Sequence, residues 1–338
     1  MQKSEDWRTL LANGITNPQE LLQLLDLDPV LLNEASSASQ SFPLRVPKGF
    51  VARMKKGDPH DPLLRQVLPL GIELLDTPGY EKDPLQENKK NPIPALLHKF
   101  SGRILLIVTG ACAVHCRYCF RRHFPYTDNS PGEIAWQKVI HYIENDVSIS
   151  EVIFSGGDPL VATDAKLQRL VTQLEAIPHV KRLRIHTRMP IVLPERISSD
   201  LLTWISHTRL KTTVVVHCNH AQELNGEVKL AIAKLLSARV TVLNQSVLLK
   251  GINDNVDTLV ELSETLFDYG ILPYYLFLLD KVQGAAHFDM PYQEAVTLYR
   301  ACAARLPGYL LPKLSKEAPG APAKLIMPIS TFLDEGIS

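Results

Sequence analysis

The chain has 338 residues, 45% of them hydrophobic, enough to bury one large core or two domains. Lysine plus arginine total 36 and aspartate plus glutamate total 36, so there is no basic excess of the kind a nucleic-acid groove carries, and a small-molecule substrate is expected. The start, MQKSEDWRTLLANG, lacks the apolar core of a signal peptide, and runs such as ILLIV are too short to span a bilayer.

Residues 1–75 alternate short helical patterns with proline. Asn17, Asp28 and Asp61 each precede a proline and are placed to cap a helix whose first residue is that proline. This predicts a helical N-terminal extension. Residues 76–102, rich in proline, lysine and asparagine, predict an irregular connector.

From Arg103 the pattern becomes strand then helix, six times over. Apolar runs at 104–108, 151–155, 182–186, 212–217, 240–246 and 274–279 each precede an amphipathic stretch. A capping box of Ser130, Pro131 and Glu133 opens the first of these helices. Almost every strand ends in polar residues: TGAC, SGGD, HTR, HCNH, NQS and LLD. Polar groups at the carboxyl ends of all the strands mark a barrel mouth, whereas an open doubly wound sheet would gather them at one switch point. The expected fold is α/β: a partial (β/α)6 TIM-like barrel over 103–306, followed by a C-terminal segment, 307–338.

CAVHCRYCF carries Cys112, Cys116 and Cys119, three of the five cysteines, in the loop after the first strand. In a reducing cytoplasm such a set holds metal rather than disulfides. Three thiolates suit three corners of an iron–sulfur cluster, leaving one iron open; structural zinc would need a fourth ligand, which only His115 or Cys218 could supply. Both metals are compatible with the ligand type.

The C-x3-C-x2-C spacing, with Tyr118 before the last cysteine, resembles the radical S-adenosylmethionine superfamily. RILLIVTGACAVHCRYCFRR, SGGDPL, RIHTRMP, HCNH, NQSVLLKGIND, PYYLFLLD and PGAPAK, in that order, resemble the lysine 2,3-aminomutase family. That resemblance implies a 4Fe-4S cluster on Cys112, Cys116 and Cys119, with S-adenosylmethionine held by Tyr118, Ser155, Gly156, Gly157, Asp158, His217 and Gln245. It implies pyridoxal 5′-phosphate bound to Lys324 in PGAPAK, with Lys99 and Arg103 at its phosphate and Phe277 near its ring. Arg121 then matches the partner of the substrate carboxylate, and Asp280 and Glu317 the acids for a distal ammonium; Arg122 is expected to be a solvated neighbour. Lysine-specific members carry aspartate at the position of Glu317. The implied reaction turns L-lysine into β-lysine, as the R form, with an electron donor such as flavodoxin. The short length resembles a bacterial branch whose β-lysine passes to the enzyme that lysylates elongation factor P. An aminomutase for another amino acid, such as glutamate, and a non-catalytic zinc or iron–sulfur protein are the alternatives.

Overall fold

A computed structural model describes residues 6–129 and 133–327, without the side chains of 133–135. The capping box at Ser130, Pro131 and Glu133 lies outside the described residues and side chains. Among the described residues nine strands form one sheet in sequence order: β1 (Leu96–Phe100), β2 (Arg103–Thr109), β3 (Glu151–Gly156), β4 (Arg182–Thr187), β5 (Lys211–His217), β6 (Thr241–Val247), β7 (Leu272–Phe277), β8 (Lys313–Lys316) and β9 (Leu325–Ile326). From β2 to β8 every pairing is parallel; β1 and β9 are antiparallel edges.

The parallel core follows from its sequence. Val152, Phe154, Leu183, Ile185, Val214 and Val216 recur at every second position on one face of their strands and are buried with helix residues such as Leu170 and Trp204. The intervening helices start where short polar side chains can bond to free amides: Thr163, Ser198, Asn225 and Asn255 cap Asp164–Glu175, Ser199–His207, Gly226–Ser237 and Val256–Asp268. Six strand–helix units result, and a mixed α/β sheet of this order is a partial TIM-like barrel.

Two parts differ from expectation. The stretch expected to be an irregular connector supplies β1, whose Leu96 and Leu97 pair with Leu106 and Leu105. The C-terminal segment adds β8 beside β7 and then turns back as β9, with Lys316 opposite Leu325. Each added strand has only two to five residues, too few for periodicity to reveal it. Among the described residues no helix is long and apolar enough to cross a membrane.

The N-terminal extension has the expected caps: Asn17, Asp28 and Asp61 accept from amides of the segments they begin. Trp7, Leu21, Phe50 and Leu63 sink into the main core. Glu73, also from this extension, takes three hydrogen bonds from Arg117 (Nε 2.9 and 3.2 Å, Nη2 2.6 Å) and one from Arg122 (2.9 Å). Arg122 is therefore not solvated; its side chain is 2% exposed and also donates to the Gly284 carbonyl. A buried carboxylate shared by two guanidinium groups is costly to break, because each cation left behind stays desolvated. Glu73→Ala is expected to destabilise the protein by about 3–5 kcal/mol, measurable as a lower denaturation midpoint, whereas an unchanged midpoint would contradict this role.

Candidate functional site

The cysteine loop leaves β2 and packs against the turn after β3. Gly156 lies at φ +128°, and a Cβ there would come within 2.3 Å of the Thr109 carbonyl. A Cβ on Gly157 would meet the carbonyls of Gly110 and Ala111. The Gly157 and Asp158 amides donate to Thr109 and Ala111 at 2.8 Å each. Both glycines are thus required by backbone meeting backbone at this junction. Asp158 extends the same bracing: its carboxylate accepts from Thr187 Oγ1, the Arg188 amide and the Leu160 amide.

Cys112, Cys116 and Cys119 are free and half-buried on this loop. Burial, then the charges of its two companions and Asp158, pushes the Cys112 thiol up; burial and Cys116 push Cys119 to about 11. Three thiols that oppose one another's ionisation need a cationic centre to become thiolate ligands, which a cluster provides. His115 is turned away: its Nδ1 lies 2.8 Å from the Pro43 carbonyl and its ring stacks on Phe42. Cys218 is buried and donates to the His220 carbonyl. Neither candidate fourth zinc ligand is therefore presented to the three cysteines. Among the described residues no three His, Cys, Asp or Glu side chains are arranged to hold a single metal ion. A cubane spreads its thiolates more widely than one ion does.

Arg188, in the RIHTRMP block, was not singled out from the sequence, yet its Nη1 lies 2.8 Å from Cys116 Sγ. Its Nη2 donates to Gln66 (2.6 Å) and Glu223 (2.9 Å). Gln66 also meets Asn219, which donates at 2.7 Å to the Tyr118 hydroxyl. Tyr118 is thus oriented from its hydroxyl end.

At the ends of β5 and β6, Gln245 Nε2 sits 3.2 Å from His217 Nε2. The ring of His186, on β4, is 6.1 Å away. Burial, then Arg188, Arg121 and Lys324, holds His217 neutral down to about 4. Gln245 Oε1, His186 Nε2 and Arg188 Nε are buried with no hydrogen-bond partner. Buried polar atoms are rarely left so, and three of them in the barrel interior fit a polar ligand there. His186 had no signal beyond its place at a strand end.

The remaining site residues form one alternating chain of charge. Arg121 Nε and Nη2 donate to Glu87 at 2.6 and 2.8 Å, while its Nη1 reaches Ser155 Oγ at 3.0 Å. Glu87 Oε1 also pairs with Lys99 at 2.8 Å. Lys99 meets Glu317 Oε1 at 2.8 Å, and Glu317 Oε2 meets Lys324 at 3.0 Å. The Lys324 ammonium lies 4.3 Å from the centre of the Phe277 ring. Arg103 stands apart from this chain, its guanidinium over Phe100 at 4.8 Å.

Glu87, in the connector, was missed from the sequence; Asp83 anchors it by accepting its amide at 2.9 Å. Burial alone would raise the Glu87 carboxyl, but Arg121 and Lys99 hold it at about 2. Asp280 moves the other way, to about 7: burial first, then Glu317, outweigh Lys324 and Lys99. Two acids so placed favour a cation between them. In the ligand-free protein the raised Asp280 value means stability is lost as pH rises from the ordinary carboxylate range to about 7. Asp280→Asn is expected to flatten that decline and leave acid stability unchanged, checked by denaturation across pH; a parallel decline in the variant would contradict it.

Residues 106–207 match the Radical SAM superfamily. An L-lysine 2,3-aminomutase of Escherichia coli K12 is 51% identical over 95% of this chain and 94% of its own length. One from Haemophilus influenzae is 46% identical, over 96% of each. One from Clostridium subterminale is 32% identical over 96% of this chain but 78% of its own length. With relatives of this similarity along almost its whole length, the chain belongs to the L-lysine 2,3-aminomutase family of the Radical SAM superfamily.

Proposed function

We propose that the protein converts L-lysine to β-lysine. The observation that carries this reading is the buried line of charge: it ends at Lys324 and sets two acids, Asp280 and Glu317, beside that lysine. Lysine brings a carboxylate at one end and an ammonium at the other. A glutamate substrate would set a second carboxylate against Asp280 and Glu317, which is unfavourable.

Each residue then has a task. Cys112, Cys116 and Cys119 would hold the cluster, and the unpartnered polar atoms beside His217 and Gln245 favour S-adenosylmethionine in the lumen. Lys324 would carry pyridoxal phosphate, with Lys99 and Arg103 supplying cations for its phosphate and Phe277 an apolar wall. When bound, these groups would supply a hydrogen-abstracting radical and an aldehyde whose conjugated ring can spread an unpaired electron while the amino group migrates. The protein binds and orients. Arg121 takes the substrate carboxylate through its Nη1 edge, since Glu87 engages the rest of its fork. Asp280 and Glu317 take the distal ammonium, so that gripping both ends fixes which carbon meets the radical. His217, held neutral, adds no positive charge to a pocket that receives a sulfonium.

The reading extends to the R form of β-lysine, to a cytoplasmic setting, to a donor such as flavodoxin, and to delivery of the product for elongation factor P modification. Its support is the resemblance to the short bacterial branch, together with a chain that spans 94–96% of its Escherichia and Haemophilus relatives.

Anaerobic, cluster-reconstituted protein given S-adenosylmethionine, pyridoxal phosphate, L-lysine and a strong reductant is expected to form β-lysine and 5′-deoxyadenosine, read by mass spectrometry. Cys116→Ala is expected to lose both products. Deoxyadenosine without β-lysine would reject lysine as substrate, and neither product from protein with an intact cluster would reject the reaction.

A further inference from the structure

Glu317 stands where lysine-specific relatives are expected to carry aspartate, and the structure gives its extra methylene a use. The β8–β9 hairpin places Lys316 opposite Leu325, so the next pair outward is Glu317 facing Lys324. From there the glutamate divides its two oxygens between two cations: Oε1 takes Lys99 of β1 and Oε2 takes Lys324, at 2.8 and 3.0 Å. The side chains of all three are 16–20% exposed, so the pairs are shielded but reachable. Glu87 is different. At 3% exposure, and tied to both Arg121 and Lys99, it is a fixed anion that holds those cations in place.

We propose that Glu317 is an exchangeable counter-ion: in the cofactor-free protein its carboxylate occupies the two ammonium groups that the cofactor's phosphate and aldehyde would take, and cofactor loading releases it to receive the distal ammonium of the substrate. The proposal rests on the assignment of pyridoxal phosphate to Lys324 made above. A phosphate brought to Lys99 competes directly with Glu317 Oε1. At Lys324, condensation of the ammonium with an aldehyde forms a carbon–nitrogen double bond and releases one water and one proton to solvent. That removes the charge which Glu317 Oε2 was pairing. Both partners are lost in one event, and Glu317 is left beside Asp280, whose carboxyl already feels its repulsion. Two carboxyl groups without counter-ions form a site for a cation. Recognition of the diamine is thereby made conditional on cofactor loading, and binding in the wrong order is disfavoured.

The test measures pyridoxal phosphate loading of the cofactor-free full chain by its Schiff-base absorbance, in the wild type, Glu317→Gln and Glu317→Asp. Glutamine keeps the shape and removes the competing charge, so tighter loading, roughly tenfold, is expected. Aspartate, one methylene shorter, can span only one of the two lysines and is expected to fall between. Glu317→Gln that loads equally or more weakly, with Glu317→Asp matching the wild type, would overturn the exchange. Lys324→Ala separates the two readings. Loss of the absorbance in that variant keeps the cofactor assignment whatever the Glu317 variants do. Full retention of it would overturn both.

Discussion

The contact between Lys99 and Glu317 joins the first strand of an open sheet to its last hairpin, and the arrangement of the site follows from it. The strands run in sequence from β1 to β9, and the two ends are brought together by side chains: Lys99 takes Glu87 on one side and Glu317 on the other. The seam of the barrel is therefore made of ions. A ladder of backbone hydrogen bonds would close the lumen for good. An ionic seam closes it with charged side chains, which suits the exchange with a charged cofactor and substrate proposed above.

Holding such groups out of water is expensive unless each is paired. The protein meets that condition by alternation. Arg121, Glu87, Lys99, Glu317 and Lys324 follow one another with opposite signs, and a second buried set, Glu73 with Arg117 and Arg122, fastens the cysteine loop to the N-terminal extension. Arg188 links the two regions, touching Cys116 on one side and Gln66 of the extension on the other. The extension thus braces the site: removing it would strand the Arg117 guanidinium, whose partners Glu73, Phe42 and Pro43 all lie there, and would take Gln66 from Arg188 and from the Tyr118 hydroxyl.

The sequence made some of this legible and hid the rest for physical reasons. Apolar residues recurring along each strand, followed by a helical pattern, announce themselves, so β2 to β7 and their helices could be read directly, as could the caps at Asn17, Asp28 and Asp61. The cysteines stood out by spacing. Lys324 and Arg121 were found only through ordered motifs, because a lone lysine or arginine carries no signal of burial. Glu87 lay in a stretch without periodicity and Arg188 among residues read as a strand end; their roles come from contacts across 34 and 72 positions of sequence. β8 and β9 were hidden because strands of four and two residues cannot establish a pattern. The resemblance assigns the twin glycines of SGGD to S-adenosylmethionine, while the structure supplies a nearer reason for them, the backbone of residues 109–111.

The line of charge is proposed to end at the lysine that takes the aldehyde cofactor. Borohydride reduction of pyridoxal-phosphate-loaded protein, followed by proteolysis and mass spectrometry, tests it most directly. A pyridoxyl group found on Lys324 alone is the expected result. Labelling confined to Lys99 or to a lysine outside the barrel would contradict the account.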